Sequence, residues 1–475
     1  MAILQQIDHI IVVMFENRSL DNLLGDLYPA GTAPSAVLPA GGPPCFDGVL
    51  PGLNNPLSSP FGTILPQPVP ATSPVSSSKV PDPDPEETWA HVNYQLFRSS
   101  VLPAPLAVPG MQGFVDDYAE TETSDPRQIM QYHASTQVPV LSALARAYAV
   151  SDAWFASVPS QTWPNRAFVH AGTSNGRIDN GSPPNPLRWN VPTIFNVLTD
   201  IGVSWKIYRD TLVPSLTGLM FPKLWSADLA GNFESFGEFM NDCARGSLPK
   251  YSFIEPRFVS DVLHEPNDFH PPHDINEGEA FLFQIWQAVS TSKNWEKTLL
   301  VITFDEHGGC YDHVPPPWGA TPPDAASSPG DSDFGFDRFG VRVPTVLVSP
   351  YIAAGTVFRS PTQTPYDHTS ILSTLRDWIG IPANKMLGSA RVLNAPTLGQ
   401  VLTLAAPRTA LPSVQLSTSV PVAPDLHTKP NDLQMSMVAA AAARGGEDVG
   451  SAMASTYTRQ HVVDFFKQRL GTLGP

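Results

Sequence analysis

The chain has 475 residues, of which 42% are hydrophobic, and its 28 Lys+Arg against 44 Asp+Glu leave a formal charge of −16. That length and composition exclude a small disulfide-stapled scaffold, and so acidic a chain repels polyphosphate, which excludes a general nucleic-acid binder. Three cysteines, Cys45, Cys243 and Cys310, allow at most one bridge and no structural zinc site, while 51 prolines point to long, stiff loops.

The N-terminus carries no basic region, signal-type apolar core or small-residue cleavage site, so the chain is expected to be cytoplasmic as made, any export to membranes using a non-classical route. His9–Phe15 (HIIVVMF) is a β-branched apolar run that predicts a strand buried on both faces of a parallel sheet. It ends on Glu16-Asn17-Arg18-Ser19. Residues 29–83 are crowded with Pro, Gly, Ser and Ala without a period and read as a long surface excursion. Helical patterns follow at Val138–Ala149, Ala167–Ser174, Thr193–Ile201, Phe236–Ala244, Glu277–Ser290 and Ser370–Ile379, with further buried-strand runs at Thr298–Phe304 and Val343–Val348. This alternation predicts an α/β fold, a central mostly parallel sheet sandwiched by helices. Residues 315–331 form a second proline loop. Composition changes near Pro407–Asp432, and Leu433–Leu470 turns helical again, so the chain divides into residues 1–406, a catalytic body, and 407–475, a small helical appendage. That appendage either docks on membranes or packs on the body. No run approaches the roughly 20 apolar residues of a transmembrane helix.

Ligands of open α/β sheets gather at the carboxyl ends of strands. Two runs end there in adjacent oxygen donors, Glu16-Asn17 and Asp305-Glu306. Either pair alone fits a helix cap; together they predict an oxygen cage for a divalent cation. In Thr162-Trp163-Pro164-Asn165-Arg166 the proline suits a first helical turn, placing Thr162 at a helix N-terminus, where it is either an ordinary cap or a hydroxyl nucleophile toward phosphorus. His270-Pro271-Pro272-His273 sets two imidazoles in a rigid acidic loop, suited to metal binding or proton transfer to a leaving group. His368 precedes a helix and reads as a first-turn residue or a distal ligand; His313 is a weaker candidate. No GxGxxG after a strand, GxxxxGK, GxSxG or CxxC motif is present.

Four motifs carry a resemblance: residues 8–21 (DHIIVVMFENRSLD), 162–166 (TWPNR), 270–273 (HPPH) and 304–313 (FDEHGGCYDH). In this order, from residue 8 to about 380, they resemble the bacterial phosphoesterase family of phosphatidylcholine-type phospholipases C and acid phosphatases, itself similar in fold to alkaline phosphatase and arylsulfatase. The resemblance implies Glu16, Asn17, Thr162, Asp305 and Glu306 as metal ligands, Thr162 as nucleophile, and His270 as a contact to the phosphoryl group; joined to the loop chemistry, it makes His270 or His273 the proton donor to the leaving alcohol. Substrate contacts are expected from Asn165, Arg166, Glu87 and His368. Residues 84–97 (DPEETWAHVNYQLF) align too, but Glu87 stands where many members carry His, a departure shared with the zinc-dependent phospholipase C branch. The implied activity is hydrolysis of a phospholipid at a membrane surface to diacylglycerol and a phosphorylated head group, with acid phosphatase as the alternative. For the ion the branch and the nearby imidazoles favour zinc, and the oxygen cage Ca, Mn or Mg.

Overall fold

The computed structural model describes residues 4–469 apart from 30, 59–62, 66, 102, 182–188, 212, 262–263 and 418–423. Parts of the 29–83 stretch and of the appendage therefore lie outside the described residues. The strands are β1 (His9–Phe15), β2 (Ala36–Leu38), β3 (Asn54–Asn55), β4 (Val69–Pro70), β5 (Ala149–Ser151), β6 (Trp205–Arg209), β7 (Phe233–Ser235), β8 (Tyr251–Glu255), β9 (Thr298–Phe304), β10 (Thr345–Val348) and β11 (Thr356–Phe358). Nine make one sheet in the order β2-β11-β5-β10-β9-β1-β8-β6-β7, and β3 and β4 form a separate ribbon. All neighbours in the large sheet pair parallel except β10, which is antiparallel to both β5 and β9.

Helices cover both faces. Helix Pro139–Ala147 packs on Ile275–Ser290, which packs on Phe236–Arg245; a second group joins Thr162–Ala171 to Ile194–Asp200 and Thr369–Ile379. Trp205 and Tyr208 are three apart on β6, so they point to opposite faces. Trp205 meets Phe195 of the second group at 4.8 Å between ring centroids, and Tyr208 meets Phe239 of the first at 5.2 Å. The expected α/β sandwich is what the chain forms, and its β1 and β9 have the boundaries read from sequence.

The 29–83 stretch is more than a surface excursion, because β2 closes one sheet edge and Val69, Val75 and Val80 are buried. The appendage forms helices Asp432–Arg444, Val449–Ala454 and Arg459–Lys467, the first packing on Leu216–Met220 with Met437 and Val438 buried. It packs on the body. All three cysteines are free, and among the described residues no helix is long and apolar enough to cross a membrane.

Candidate active site

Register explains why the two acidic pairs meet. β1 and β9 run parallel with Phe15 opposite Phe304, so the residues that follow, Glu16-Asn17 and Asp305-Glu306, leave the sheet at one level. Asn17 adopts a left-handed backbone (φ 55°) that turns the chain sharply. Gly308, also left-handed (φ 57°), packs so closely that a Cβ there would lie 2.3 Å from the Asn17 carbonyl oxygen.

Each carboxylate of the β9 pair has one oxygen held and one free. Asp305 Oδ1 accepts from the backbone N–H of Asn17 (3.0 Å) and of Glu306 (2.8 Å), while Oδ2 has no partner. Glu306 Oε2 accepts from Gly308 N (2.7 Å), and Oε1 has no partner. Both residues are fully buried. Burial, then Asp305, pushes the Glu306 carboxyl well above its ordinary range; burial does the same to Glu16, outweighing the relief supplied by Arg166, and Asp305 raises it further. Buried carboxylates with idle oxygens require a cation to be ionised together, so this oxygen-donor set fits a divalent metal.

Thr162 opens helix Thr162–Ala171, and its hydroxyl donates to Glu16 Oε2 at 3.1 Å, with Asn17 Oδ1 at 3.5 Å. Thr162, Glu16 and Asn17 are thus in contact, Asp305 is tied to the Asn17 backbone, and Glu306 is the next residue on the same strand end. Arg166, one turn along the helix, puts Nε 2.8 Å from Glu16 Oε1, adds a very short second bond through Nη2, and also reaches the Met14 carbonyl at 3.0 Å. Arg166 is therefore a brace for Glu16, while its buried Nη1 has no partner. Asn165, expected as a substrate contact, is instead spent on the backbone: its amide accepts from Val158 N and donates to the carbonyls of Val158, Ser160 and Gln161, pinning the loop before Thr162.

After β8 the loop 267–274 brings in the histidines. His270 Nδ1 donates to the Pro271 carbonyl (2.7 Å), and His273 Nδ1 bonds Asp268 Oδ1 (2.7 Å). Both rings are fully buried with Nε2 unpartnered, and burial lowers His270 to about 4 and His273 well below its usual value. Burial raises Asp268 to about 7, so low dielectric favours the uncharged His273–Asp268 pair. With Nδ1–H committed, each Nε2 presents a lone pair, and a ring that protonates a leaving alcohol must first take up a proton there.

His368 is a strut. Its Nε2–H donates to the Asp305 carbonyl at 2.6 Å and its Nδ1 accepts from Trp154 Nε1 at 3.4 Å, so both nitrogens are spent and the substrate contact expected of it gives way to support of Asp305. Glu87 is 4% exposed with Oε1 unpartnered, its carboxyl driven up by burial, then by Asp84 and Glu306. Sequence reading missed Gln161, Asn180 and Asp432. Asn180 accepts from Trp163 N (2.9 Å), and Asp432 Oδ2 of the appendage accepts from Gln161 Nε2 (2.8 Å) and Asn180 Nδ2 (2.7 Å). Only the position of Gln161 just before a helix start was a signal.

Asp21, Asp312 and His313 also bring ligand atoms within 4.8 Å of one another. The Arg342 guanidinium lies 2.9 Å from Asp21 and 2.9 Å from Asp312, so a cation already fills that group and it is an ion-pair cluster.

A buried threonine at a helix start, bonded to an acidic residue at one of two parallel strand ends, suits hydrolysis of a phosphoric ester, and comparison with known proteins gives that class. The family model described as Phosphoesterase family matches residues 7–382, and the chain belongs to that family. It is 33% identical to non-specific phospholipase C6 of Arabidopsis thaliana over 89% of this chain and 76% of that one. It is 35% identical to non-specific phospholipase C1 of the same plant, over 77% of this chain and 66% of that one, and 29% identical to phospholipase C B of Mycobacterium tuberculosis, over 80% and 74%. The protein is a phosphoric ester hydrolase, and its relatives are not confined to bacteria. Among solved structures, a protein in the alkaline phosphatase superfamily from Vibrio parahaemolyticus covers 57% of this chain and 66% of its own at 12% identity and a TM-score of 0.35. A phosphonate monoester hydrolase of Agrobacterium radiobacter covers 56% and 72% at 15% identity and a TM-score of 0.30. Neither overlap bears on the chemistry of this site.

Proposed function

We propose that the protein is a metal-dependent phospholipase C, cleaving phosphatidylcholine-type phospholipids to diacylglycerol and a phosphorylated head group with Thr162 as nucleophile. The observation that carries this reading is the Thr162 hydroxyl, held at 3.1 Å by Glu16, whose strand end is level with that of Asp305 and Glu306, each of which has an unpartnered oxygen. Glu16, Asn17, Asp305, Glu306 and Thr162 would hold the ion. A bound divalent ion supplies Lewis-acid charge to the phosphoryl oxygens and to the threonine oxygen.

The residues do the rest. Glu16, aligned by Arg166, accepts the Thr162 proton as the oxygen attacks phosphorus. Asn165, Asn180 and Gln161 hold the Thr162 loop so that little orientation is lost at that moment. His270 or His273, once protonated at Nε2, gives its proton to the departing glycerol oxygen; the same nitrogen, again neutral, takes one from the water that releases the threonyl ester, and Glu16 returns its proton to the departing Thr162 oxygen. The all-oxygen ligand set supports Ca, Mn or Mg, whereas family resemblance and the two free Nε2 atoms support zinc.

The test is a parallel assay on phosphatidylcholine and an aryl phosphomonoester, with chelator and then Zn, Mn, Mg or Ca restored. Chelator-sensitive release of phosphocholine with little monoester turnover is expected. Preferential monoester turnover would move the protein to acid phosphatase chemistry.

A further inference from the structure

From Val101 to Gly113 (VLPAPLAVPGMQG) the sequence holds no charged residue, and the nearest cation before it, Arg98, is spent on Asp116 at 2.6 Å. Val101, Leu106 and Val108 are 73%, 72% and 78% exposed, the three most exposed large hydrophobic side chains among the described residues. Single exposed leucines are ordinary, whereas three such side chains on one loop call for a partner. Exposed Ile64 and Leu65 stand on a loop whose base is bonded to the base of this one, Asn55 Nδ2 donating to the Met111 carbonyl (2.7 Å) and Arg98 Nη2 to Ser58 Oγ (2.8 Å). The tip has a fixed shape. Ala107 N donates to the Ala104 carbonyl (3.1 Å), which puts Pro105 and Leu106 at the apex of a turn, and Trp318 Nε1 donates to the Ala107 carbonyl (2.7 Å). Leu106 is left-handed (φ 63°) at a turn position where glycine or asparagine is the ordinary choice, so its isobutyl group does nothing for the turn and is presented outward. Pro103 and Pro105 share a slot of about 150 Å³ with Trp89, and Thr88, the residue before it, lines a cleft of about 960 Å³ that reaches Gln161 beside Thr162. The apolar loop and the cleft thus meet at the start of helix Trp89–Phe97.

We infer that Val101, Leu106 and Val108 form the docking surface of this protein for a lipid bilayer without net charge, inserting into it beside the cleft. The inference rests on the phospholipase C reading, because Thr162 is buried and on that reading its substrate lies in a bilayer. The chemistry of the loop selects the partner. Its apolar side chains gain by burial among acyl chains, and it has no Lys or Arg to gain from anionic head groups, which a chain of charge −16 repels. Docked through this loop, the protein brings the cleft to the head-group layer, so the phosphate of a lipid enters toward Thr162 while its acyl chains stay with the bilayer. The fixed turn keeps Leu106 outward before contact, so little conformational freedom is lost on insertion.

The test is co-sedimentation of the full-length, metal-loaded protein with phosphatidylcholine vesicles, carrying Thr162→Val so that the vesicles stay intact, with and without Leu106→Asn and Val108→Asn. Binding is expected to fall on the order of tenfold for each loop substitution, to persist at about 1 M salt, where the screening length is about 3 Å, and to weaken when phosphatidylserine replaces part of the lipid. With Thr162 intact, the double loop variant should turn over soluble p-nitrophenyl phosphorylcholine as the native protein does and lose vesicle turnover in proportion to binding. It should also keep its Tm, because asparagine suits the left-handed position. Undiminished vesicle binding by the double variant, binding abolished by salt, or a dimer in solution that the two substitutions dissociate overturns the docking surface and leaves the phospholipase C reading intact. Docking as expected by a native protein that turns over neither vesicle lipid nor the soluble diester overturns that reading instead.

Discussion

Replacing Arg166 by Met leaves Glu16 as a buried carboxyl without its cation. Both residues are fully buried, and Nε sits 2.8 Å from Oε1. At an effective dielectric of about 20 the direct attraction at that distance is about 6 kcal/mol, and most of it offsets the desolvation of two ions. Methionine refills much of the side-chain volume, so the net loss is that of breaking a buried pair, about 3–5 kcal/mol of unfolding free energy by urea titration in chelator. Glu16 then takes up a proton and can no longer accept one from Thr162, and diester turnover should fall on the order of 10²-fold or more. The double variant Glu16→Gln with Arg166→Met, having no orphan charge, should be more stable than Arg166→Met alone. A loss below about 1 kcal/mol for the single variant, with near-native turnover, would refute the role assigned to this pair.

Gly308→Ala forces a Cβ to within 2.3 Å of the Asn17 carbonyl at a left-handed position, and should cost about 2 kcal/mol or more together with metal affinity; native titration curves would contradict this. His313 is raised to about 10: burial opposes its ionisation, and hydrogen bonds to Asp21 and Asp47 outweigh it. Its folded pKa exceeds the ordinary 6.5, so its contribution is complete below about pH 6.5 and is lost as pH climbs toward 10. His313→Gln should therefore cost about 2–3 kcal/mol at pH 6 and progressively less toward pH 10, and a gap that widens with pH would be the wrong sign. Chelator should lower Tm, and restoring the ion at about 100 times its Kd should return about 2.7 kcal/mol, with an unmoved Tm for every ion counting against the cage. Truncation after residue 406 removes Asp432 and its bonds to Gln161 and Asn180, so turnover of a soluble diester and Tm should drop together. Lost liposome binding with undiminished soluble turnover would instead make the segment a docking module.

Much of the centre was legible because β1 and β9 are unbroken β-branched runs, and equivalent strand ends put Glu16-Asn17 and Asp305-Glu306 side by side. β5, β7 and β11 are three residues each, too short to show a period, and β6 (WKIYR) and β8 (YSFIE) mix polar with apolar residues. The Val343–Val348 run read as one more sheet strand, yet β10 is antiparallel, because direction is set by connections that no local pattern records. Asn165 and His368 were legible as part of the site and illegible as to role: their residue types suit a substrate as well as they suit the backbone groups they hold. Asp432 lies 270 residues from Thr162 in sequence and meets its loop only through the fold.

The stereochemical course at phosphorus, followed with an isotopically chiral phosphocholine diester, tests the threonine nucleophile most directly. Two in-line displacements through a Thr162 ester give overall retention, the result expected here. Inversion would mean that water attacks phosphorus in one step and would contradict the role given to Thr162.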